Sequence, residues 1–167
     1  MSRRRALAGA IGGTAAVALA AATGVFLSSC SSSGAHAAAR AKAPAELSVS
    51  GGYIPRPLLT DLAAAYVTVT NTGGTPAELT SVSTPLAAHV TLHTTKGTTM
   101  YQVASLTVPA GGRLSLGTGG DHLMLENLTR RPPVGAKVTL TLHFAHATPA
   151  TLTVTVPVRP TTYHPEG

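Results

Sequence analysis

Alternation of apolar and polar residues with a period of two constrains the fold of this chain more than any other feature. It runs through "AAAYVTVTN", "HVTLHTT", "RLSLG", "KVTLTLHFA" and "TLTVTVPV". Turn-forming residues separate these segments, as in "NTGG", "TKG", "VPAGG" and "RPPVG". Such alternation is typical of strands with one buried face, and Gly/Pro clusters mark turns. The pattern predicts a monomeric all-β domain over residues 46–160, an antiparallel Greek-key β-sandwich with seven or more strands.

The N-terminus, "MSRRRALAGAIGGTAAVALAAATGVFLSSC", has three arginines followed by a run of small and apolar residues. The run is long enough for a membrane-spanning helix, which needs about 20 apolar residues. Its alanine and glycine content favours a cleavable signal peptide instead. "LSSC" resembles the lipobox of bacterial lipoproteins, whose cysteine is acylated and begins the mature chain. We interpret residues 1–29 as a lipoprotein signal peptide, exported by either the twin-arginine or the ordinary secretion route, and predict lipidation of Cys30.

Lipidation at Cys30 would anchor the chain to the outer face of the bacterial cell membrane. Residues 30–45 are small and polar without a hydrophobic period, which indicates a flexible tether. Residues 161–167, "TTYHPEG", are too few and too polar to fold, so we expect a disordered tail. Cys30 is the only cysteine, so the sequence offers neither an intrachain disulfide nor a thiolate metal site in the domain.

Charge and motifs exclude several classes of function. Without the three N-terminal arginines, nine lysines and arginines face six acidic residues, a net charge of +3 over residues 30–167. These charges are dispersed and aromatic residues are few, so no nucleic-acid footprint is present. The sequence also lacks G-x-S-x-G, a phosphate-binding glycine loop, a paired acidic motif and a cysteine nucleophile. We therefore expect a binding protein and not an enzyme.

A histidine and a methionine two positions apart stand out in "GGDHLMLENL". The chain has three methionines including the first residue, and one of them, Met124, follows His122 at this spacing. On a strand both side chains face the same side, about 7 Å apart. His89 and His93 likewise share the polar face of their strand. Imidazole and thioether ligands together suit a soft metal ion. Core packing by methionine is the competing interpretation, and for Met100 it is equally plausible.

Four segments follow one another between Ala63 and Val158: "AAAYVTVTNTGG", "STPLAAHVTLHTT", "VPAGGRLSLGTGGDHLMLENL" and "VTLTLHFAHATPATLTVTVPV". In this order they resemble the PCuAC-type copper chaperone family of bacterial extracytoplasmic proteins. The resemblance covers almost the whole domain, and the PAGG…GG-x-H-x-M segment is its most specific part. It implies a cupredoxin-like β-sandwich that binds Cu(I) through a His-Met-His-Met set. It also implies delivery of copper to a receiving protein, such as the cytochrome oxidase subunit that carries the CuA centre.

Carried over residue by residue, the resemblance matches Met100, His122 and Met124 to the family's second, third and fourth ligands. The first ligand is either of two histidines. His89 has the family's spacing of ten intervening residues before Met100, whereas His93 has the V-x-L-H context and is the one we favour. Family members often carry acidic or methionine residues after the first histidine and a second methionine after H-x-M. Here these positions are "TT" and Glu126, so the auxiliary methionines are missing.

Two other functions remain open at this point. The chain could be a structural or adhesive β-sandwich lipoprotein in which the histidines and methionines are incidental. It could also be a copper enzyme or a blue-copper electron carrier. The blue-copper version would need a cysteine thiolate, and Cys30 lies in the tether, while an oxidase would need further metal centres that the seven dispersed histidines do not obviously supply. His143, His146 and His164 are expected at the surface or in turns, and Tyr53 could belong either to the core or to the rim of the site.

Overall fold

The computed structural model describes residues 43–165. The predicted signal peptide 1–29, the lipidation of Cys30, the tether up to residue 42 and the last two residues of the tail therefore lie outside the described residues. Between residues 43 and 165 the chain contains no helix, hence none able to cross a membrane. It forms ten strands: β1 Leu47–Pro55, β2 Leu62–Asn71, β3 Ala77–Ser83, β4 Ala87–Lys96, β5 Thr99–Val103, β6 Leu106–Val108, β7 Arg113–Ser115, β8 His122–Leu128, β9 Lys137–Ala145 and β10 Thr151–Arg159. The all-β prediction is confirmed.

The strands are hydrogen-bonded in the order β5-β4-β8-β2-β1-β10-β9-β3-β6, with β7 paired to β2. Two strands, β1 and β2, pair with different strands along their length, so the hydrogen-bonded strands can surround one core. Residues 62–65 of β2 pair with β8, whereas residues 68–70 pair with both β1 and β7. The first part of β1 pairs with β2, and its last two residues pair with β10. This β1–β10 pair is parallel, so the sheet is mixed, and every other strand pair in residues 43–165 is antiparallel.

The partner change in β1 depends on the glycines of "SGGY". Gly51 has a φ of +64°, a left-handed conformation that glycine adopts without steric cost. The register with β2 shifts at this point, between Ser50 and Tyr53. A Cβ on Gly52 would lie 2.3 Å from a methyl carbon of Val156 on β10. The glycine pair therefore forms a β-bulge and admits the close approach of β10.

The core is built from the apolar face of each alternating segment. In β9 the buried residues are every second one, and His143 lies on the other face, as the sequence predicts, although it is half-buried there and not fully exposed. The strands from β8 to β6 along the hydrogen-bonded path contribute fully buried side chains to one cluster: Ile54, Val67, Val69, Leu79, Val108, Leu123, Leu125, Leu140, Leu142, Val156 and Val158. Burying a side chain of this size contributes about 1.5–3 kcal/mol. The domain is therefore stabilised by its hydrophobic core, since its described residues contain no cysteine.

Candidate metal centre

Neighbouring strands β5, β4 and β8 bring the predicted ligands onto one face of the sheet. His93 on β4 lies directly opposite His122 on β8, and Thr91 lies opposite Met124. On the other side of β4, Thr95 lies opposite Met100 of β5. Directly paired residues and residues two apart on a strand project to the same side. The opposite side of the same strands carries Leu92, Leu123 and Leu125 into the core.

The imidazole rings of His93 and His122 stack against each other. Their centroids are 5.5 Å apart and their planes differ by 25°. A cross-strand pair holds them, so their relative position is set by the β4–β8 register and not by a loop. Ligands on rigid strands are positioned more accurately than ligands on loops.

His122 is 6% exposed, and one of its ring nitrogens has a fixed role. Its Nδ1 lies 2.9 Å from the carbonyl oxygen of Gly120, which can only accept, so Nδ1 carries the proton. The hydroxyl of Thr95 donates to the same carbonyl at 3.1 Å. Nε2 of His122 makes no hydrogen bond with residues 43–165. In the neutral ring this atom carries a lone pair and is available to a metal ion.

His93 also has one nitrogen without a partner. Its Nε2 lies 3.0 Å from the hydroxyl of Thr91. Its Nδ1 is buried and, among side-chain polar atoms of the described residues, is the single buried one that lacks a hydrogen bond. Leaving a buried polar atom unpaired is unfavourable by about 1–3 kcal/mol, so such an atom calls for an explanation. A metal ligand fits it, because coordination would use the nitrogen lone pair.

Both thioethers border a pocket beside His122. This pocket has a volume of about 360 Å³, and its lining includes Met100, His122, Met124 and the ring of Tyr66. Met124 is half-buried, whereas Met100 is 59% exposed at the edge of the sheet. Met100 lies diagonally across from His93, and such neighbours are roughly 7–8 Å apart, within reach of long side chains. The pocket is therefore lined by three of the predicted ligands, Met100, His122 and Met124. The fourth, His93, stacks on His122.

His89 occupies a different part of the same face. It lies opposite Glu126 and is exposed. Along β4 it is four residues from His93, about 13 Å, and six residues from the partner of Met100, about 20 Å. A single ion bound by Met100 and His122 is out of reach of His89. The sequence spacing that matches His89 to Met100 thus does not correspond to proximity in the fold.

Two residues that contact the site, Thr91 and Tyr66, were not among the candidates that the sequence predicts. The hydroxyl of Thr91 bonds both to His93 and to the carboxylate of Glu126. Tyr66 lines the pocket, and Tyr53 packs on Tyr66 with ring centroids 5.0 Å apart, so Tyr53 is buried behind the site. Strand alternation puts Thr91 on the histidine face, but the contact with Glu126 depends on the β4–β8 register, which the sequence does not reveal.

The donor set of this face is dominated by imidazole and thioether. No group of three or more His, Cys, Asp or Glu side chains suited to a metal lies within residues 43–165. Two imidazoles and two thioethers are the ligands that soft ions such as Cu(I) accept, while Zn²⁺ prefers cysteine, histidine and carboxylate. The residues present thus fit Cu(I) better than a harder ion.

Comparison with known proteins gives a family for the chain. The family described as "Putative lipoprotein LpqE-like" matches residues 47–158, from the first strand to the last. No curated protein matches the chain.

Several solved structures share the fold. The solution structure of CuI-DR1885 from Deinococcus radiodurans is 34% identical, with a TM-score of 0.58 over 77% of this chain and 87% of that one. The copper-bound PCuAC domain from PmoF2 is 23% identical, with a TM-score of 0.62 over 71% of this chain and 96% of that one. The apo PCuAC domain from PmoF1 is 20% identical, with a TM-score of 0.62 over 70% of this chain and 96% of that one. The prediction of a cupredoxin-like β fold of the PCuAC type is confirmed, and this chain belongs to the LpqE-like family.

Proposed function

We propose that this protein is an extracytoplasmic copper chaperone that binds Cu(I) through His93, Met100, His122 and Met124. One observation carries the proposal: two stacked imidazoles each leave a ring nitrogen without a hydrogen-bond partner, and one of them, His122, lines a pocket together with two thioethers. The names of two relatives agree with it, since one is Cu(I)-DR1885 and another is a copper-bound PCuAC domain. We assign His93 as the first ligand in preference to His89, because His93 is the histidine next to His122.

The ligand set favours Cu(I) over Cu(II). Thioethers are soft ligands, and neutral imidazoles add no charge, so the site would hold a monovalent soft ion. Cu(II) prefers a tetragonal set of nitrogen and oxygen ligands, whereas two of the four proposed ligands here are thioethers, and Glu126 and the exposed His89 lie further along the face. We therefore propose that the protein carries copper in the reduced state.

Transfer to a partner is consistent with how exposed the site is. Met100 lies on β5, at the end of the strand order, with more than half of its surface open to solvent. A partner could replace this thioether by its own ligand while the ion is still held by His122 and Met124. The receiving protein in this proposal is a copper protein such as the cytochrome oxidase subunit with the CuA centre. The chain itself would bind and release copper without catalysis.

Membrane attachment is the second part of the proposal. The family description names a lipoprotein, which agrees with the "LSSC" sequence at Cys30. Mass spectrometry of protein extracted from bacterial membranes should find a diacylglyceryl group on an N-terminal Cys30. A mature chain that begins at another residue and lacks the lipid would contradict this assignment.

A competition titration tests the copper proposal directly. The protein is titrated with Cu(I) against a chromophoric Cu(I) chelator, and separately with Cu(II). We expect one equivalent of Cu(I) to be bound, more tightly than Cu(II), and the binding to disappear when His122 and Met124 are both replaced. The matched control replaces His143, which lies on β9 away from the site. Absence of Cu(I) binding would instead favour a structural or adhesive lipoprotein.

A further inference from the structure

We propose that Thr91 and Glu126 act as positioning residues that fix the tautomer of His93, so that His93 binds copper through Nδ1 and not Nε2. This inference rests on the proposed copper function and specifies how one ligand of that site is held. Neither Thr91 nor Glu126 needs to touch the ion in this arrangement.

The direction of the hydrogen bonds supports the assignment. The hydroxyl of Thr91 donates to Oε1 of Glu126 at 3.0 Å. A hydroxyl has a single proton, and an ionised carboxylate can only accept. The oxygen of Thr91 can therefore only accept from Nε2 of His93, which lies 3.0 Å away. It follows that Nε2 carries the proton of the neutral ring and that Nδ1 carries the lone pair.

The burial of Nδ1 agrees with this conclusion. Nδ1 of His93 is buried and has no hydrogen-bond partner, whereas Nε2 is already used. If Nε2 were the ligand, it would have to give up Thr91, and Nδ1 would stay buried and unpaired. Binding through Nδ1 keeps the bond to Thr91 and also occupies the unpaired atom.

The two histidines of the site consequently present different nitrogens. His122 donates from Nδ1 to the carbonyl of Gly120, which leaves Nε2 free. His93 donates from Nε2 to Thr91, which leaves Nδ1 free. In metal sites a hydrogen bond from the second ring nitrogen typically fixes ring orientation and makes the ligand more basic. Here a backbone carbonyl serves one ring and a threonine–glutamate relay serves the other.

Glu126 determines the direction of these hydrogen bonds, because its carboxylate accepts the hydrogen bond that the Thr91 hydroxyl donates. Without the carboxylate, the hydroxyl of Thr91 would be free to donate to Nε2 of His93. That bond would favour the tautomer with the proton on Nδ1, which blocks the nitrogen proposed to bind copper. Replacing Glu126 should thus have an effect on a ring that it does not touch.

The first experiment measures the tautomer in the copper-free full-length protein. Long-range ¹H–¹⁵N correlation spectra, recorded at about pH 8 where free imidazole is neutral, show which ring nitrogen carries the proton. We expect the Nε2–H form for His93 in the parent protein and in Thr91→Ser. Glu126→Ala should shift His93 towards the Nδ1–H form, while His122 keeps its Nδ1–H form. A parent His93 protonated on Nδ1 would overturn the inference, whatever the protein does with copper.

The second experiment measures Cu(I) affinity in the same set of variants. Thr91→Val keeps the shape of the side chain but removes the hydroxyl, and loss of such a partner typically lowers metal affinity about 10–100-fold. Thr91→Ser should restore the parent affinity, and Thr94→Val, on the other face of β4, should retain it. If the parent binds Cu(I) but Thr91→Val and Glu126→Ala bind equally well, the positioning role is wrong and the copper proposal stands. If the parent binds no Cu(I), the copper proposal itself fails.

Discussion

Two polar side chains are buried among residues 43–165, and their hydrogen-bonding groups are used differently. Asn71 is 1% exposed, and both its amide oxygen and its amide nitrogen bond to backbone groups. His122 is almost as buried but uses only Nδ1. A buried polar group whose capacity is fully used indicates a structural role, whereas one that keeps a free lone pair next to a pocket indicates binding. The difference separates a stabilising residue from a candidate ligand.

Replacement of Met124 by leucine should separate packing from metal binding. The swap nearly conserves volume and usually destabilises a protein by less than about 1.5 kcal/mol. Leucine has no sulfur lone pair, so Cu(I) affinity should fall by at least about tenfold, which corresponds to 1.4 kcal/mol of binding free energy. Urea unfolding and a Cu(I) competition titration measure the two quantities. Parent-like Cu(I) affinity in Met124→Leu would show that the site is drawn incorrectly.

Separate alanine variants of the two strand histidines should identify the first ligand. His93→Ala removes an imidazole stacked on His122 and should weaken Cu(I) binding by about tenfold or more. His89→Ala removes an exposed ring about 13 Å further along β4 and should leave the affinity unchanged. The two changes are chemically identical, so each is the control for the other. A greater loss in His89→Ala would reverse our assignment.

The β4–β5 hairpin decides which side chains of β5 face the histidines. Lys96 pairs with Thr99, so only two residues form the loop, and the first of them, Gly97, has a φ of +62°. Two-residue hairpins with glycine at this position match the twist of the flanking strands. The loop fixes a register in which Gln102, and not Met100, lies directly opposite His93. Met100 lies two residues before Gln102, on the same face of β5, where it borders the pocket.

This register predicts a gain of function at Gln102. In Gln102→Met a third thioether would join those of Met100 and Met124, directly across from His93, and it should strengthen Cu(I) binding without unfolding the exposed edge strand. Gln102→Leu is the matched control, since it has similar size but no sulfur, and should bind as the parent does. Chelator competition on the three proteins provides the comparison. Equal affinities for the methionine and leucine variants would argue against this part of the geometry.

At the scale of the whole molecule, the side chain of Asn71 forms one hydrogen-bonded junction near the ends of β1, β2, β3 and β6. Asn71 ends β2, accepts hydrogen bonds from the amides of Glu46 and Gly73, and donates to the carbonyl oxygens of Thr75 and Val108. One side chain thus links the segment before β1, the β2–β3 turn and the end of β6. The candidate metal centre lies at the other end of β2, where residues 62–65 pair with β8. The site and this junction therefore have separate energetic roles.

Removal of the Asn71 side chain should destabilise the fold and spare the site. Asn71→Ala takes this partner from two backbone amides and two backbone carbonyls, so we expect the free energy of unfolding to fall by about 2–4 kcal/mol. Folded Asn71→Ala should still bind Cu(I) as the parent does. Urea titration gives the stability, and Gln102→Ala, an exposed amide, is the control. A loss below about 0.5 kcal/mol, the size of an ordinary surface change, would refute the role of this junction.

The sequence by itself determined the alternating strands β2, β4, β7, β9 and β10, their buried faces and the position of His122 and Met124 on one face of β8, because alternation with a period of two is a local property of each strand. Its resemblance to a family also indicated the fold. Only the tertiary structure decided which strands are neighbours and in which register. That register puts His93 opposite His122, separates His89 from Met100 and joins Thr91 to Glu126. Cross-strand contacts join residues distant in the chain, and they depend on loop conformations and on the packing of all strands around one core.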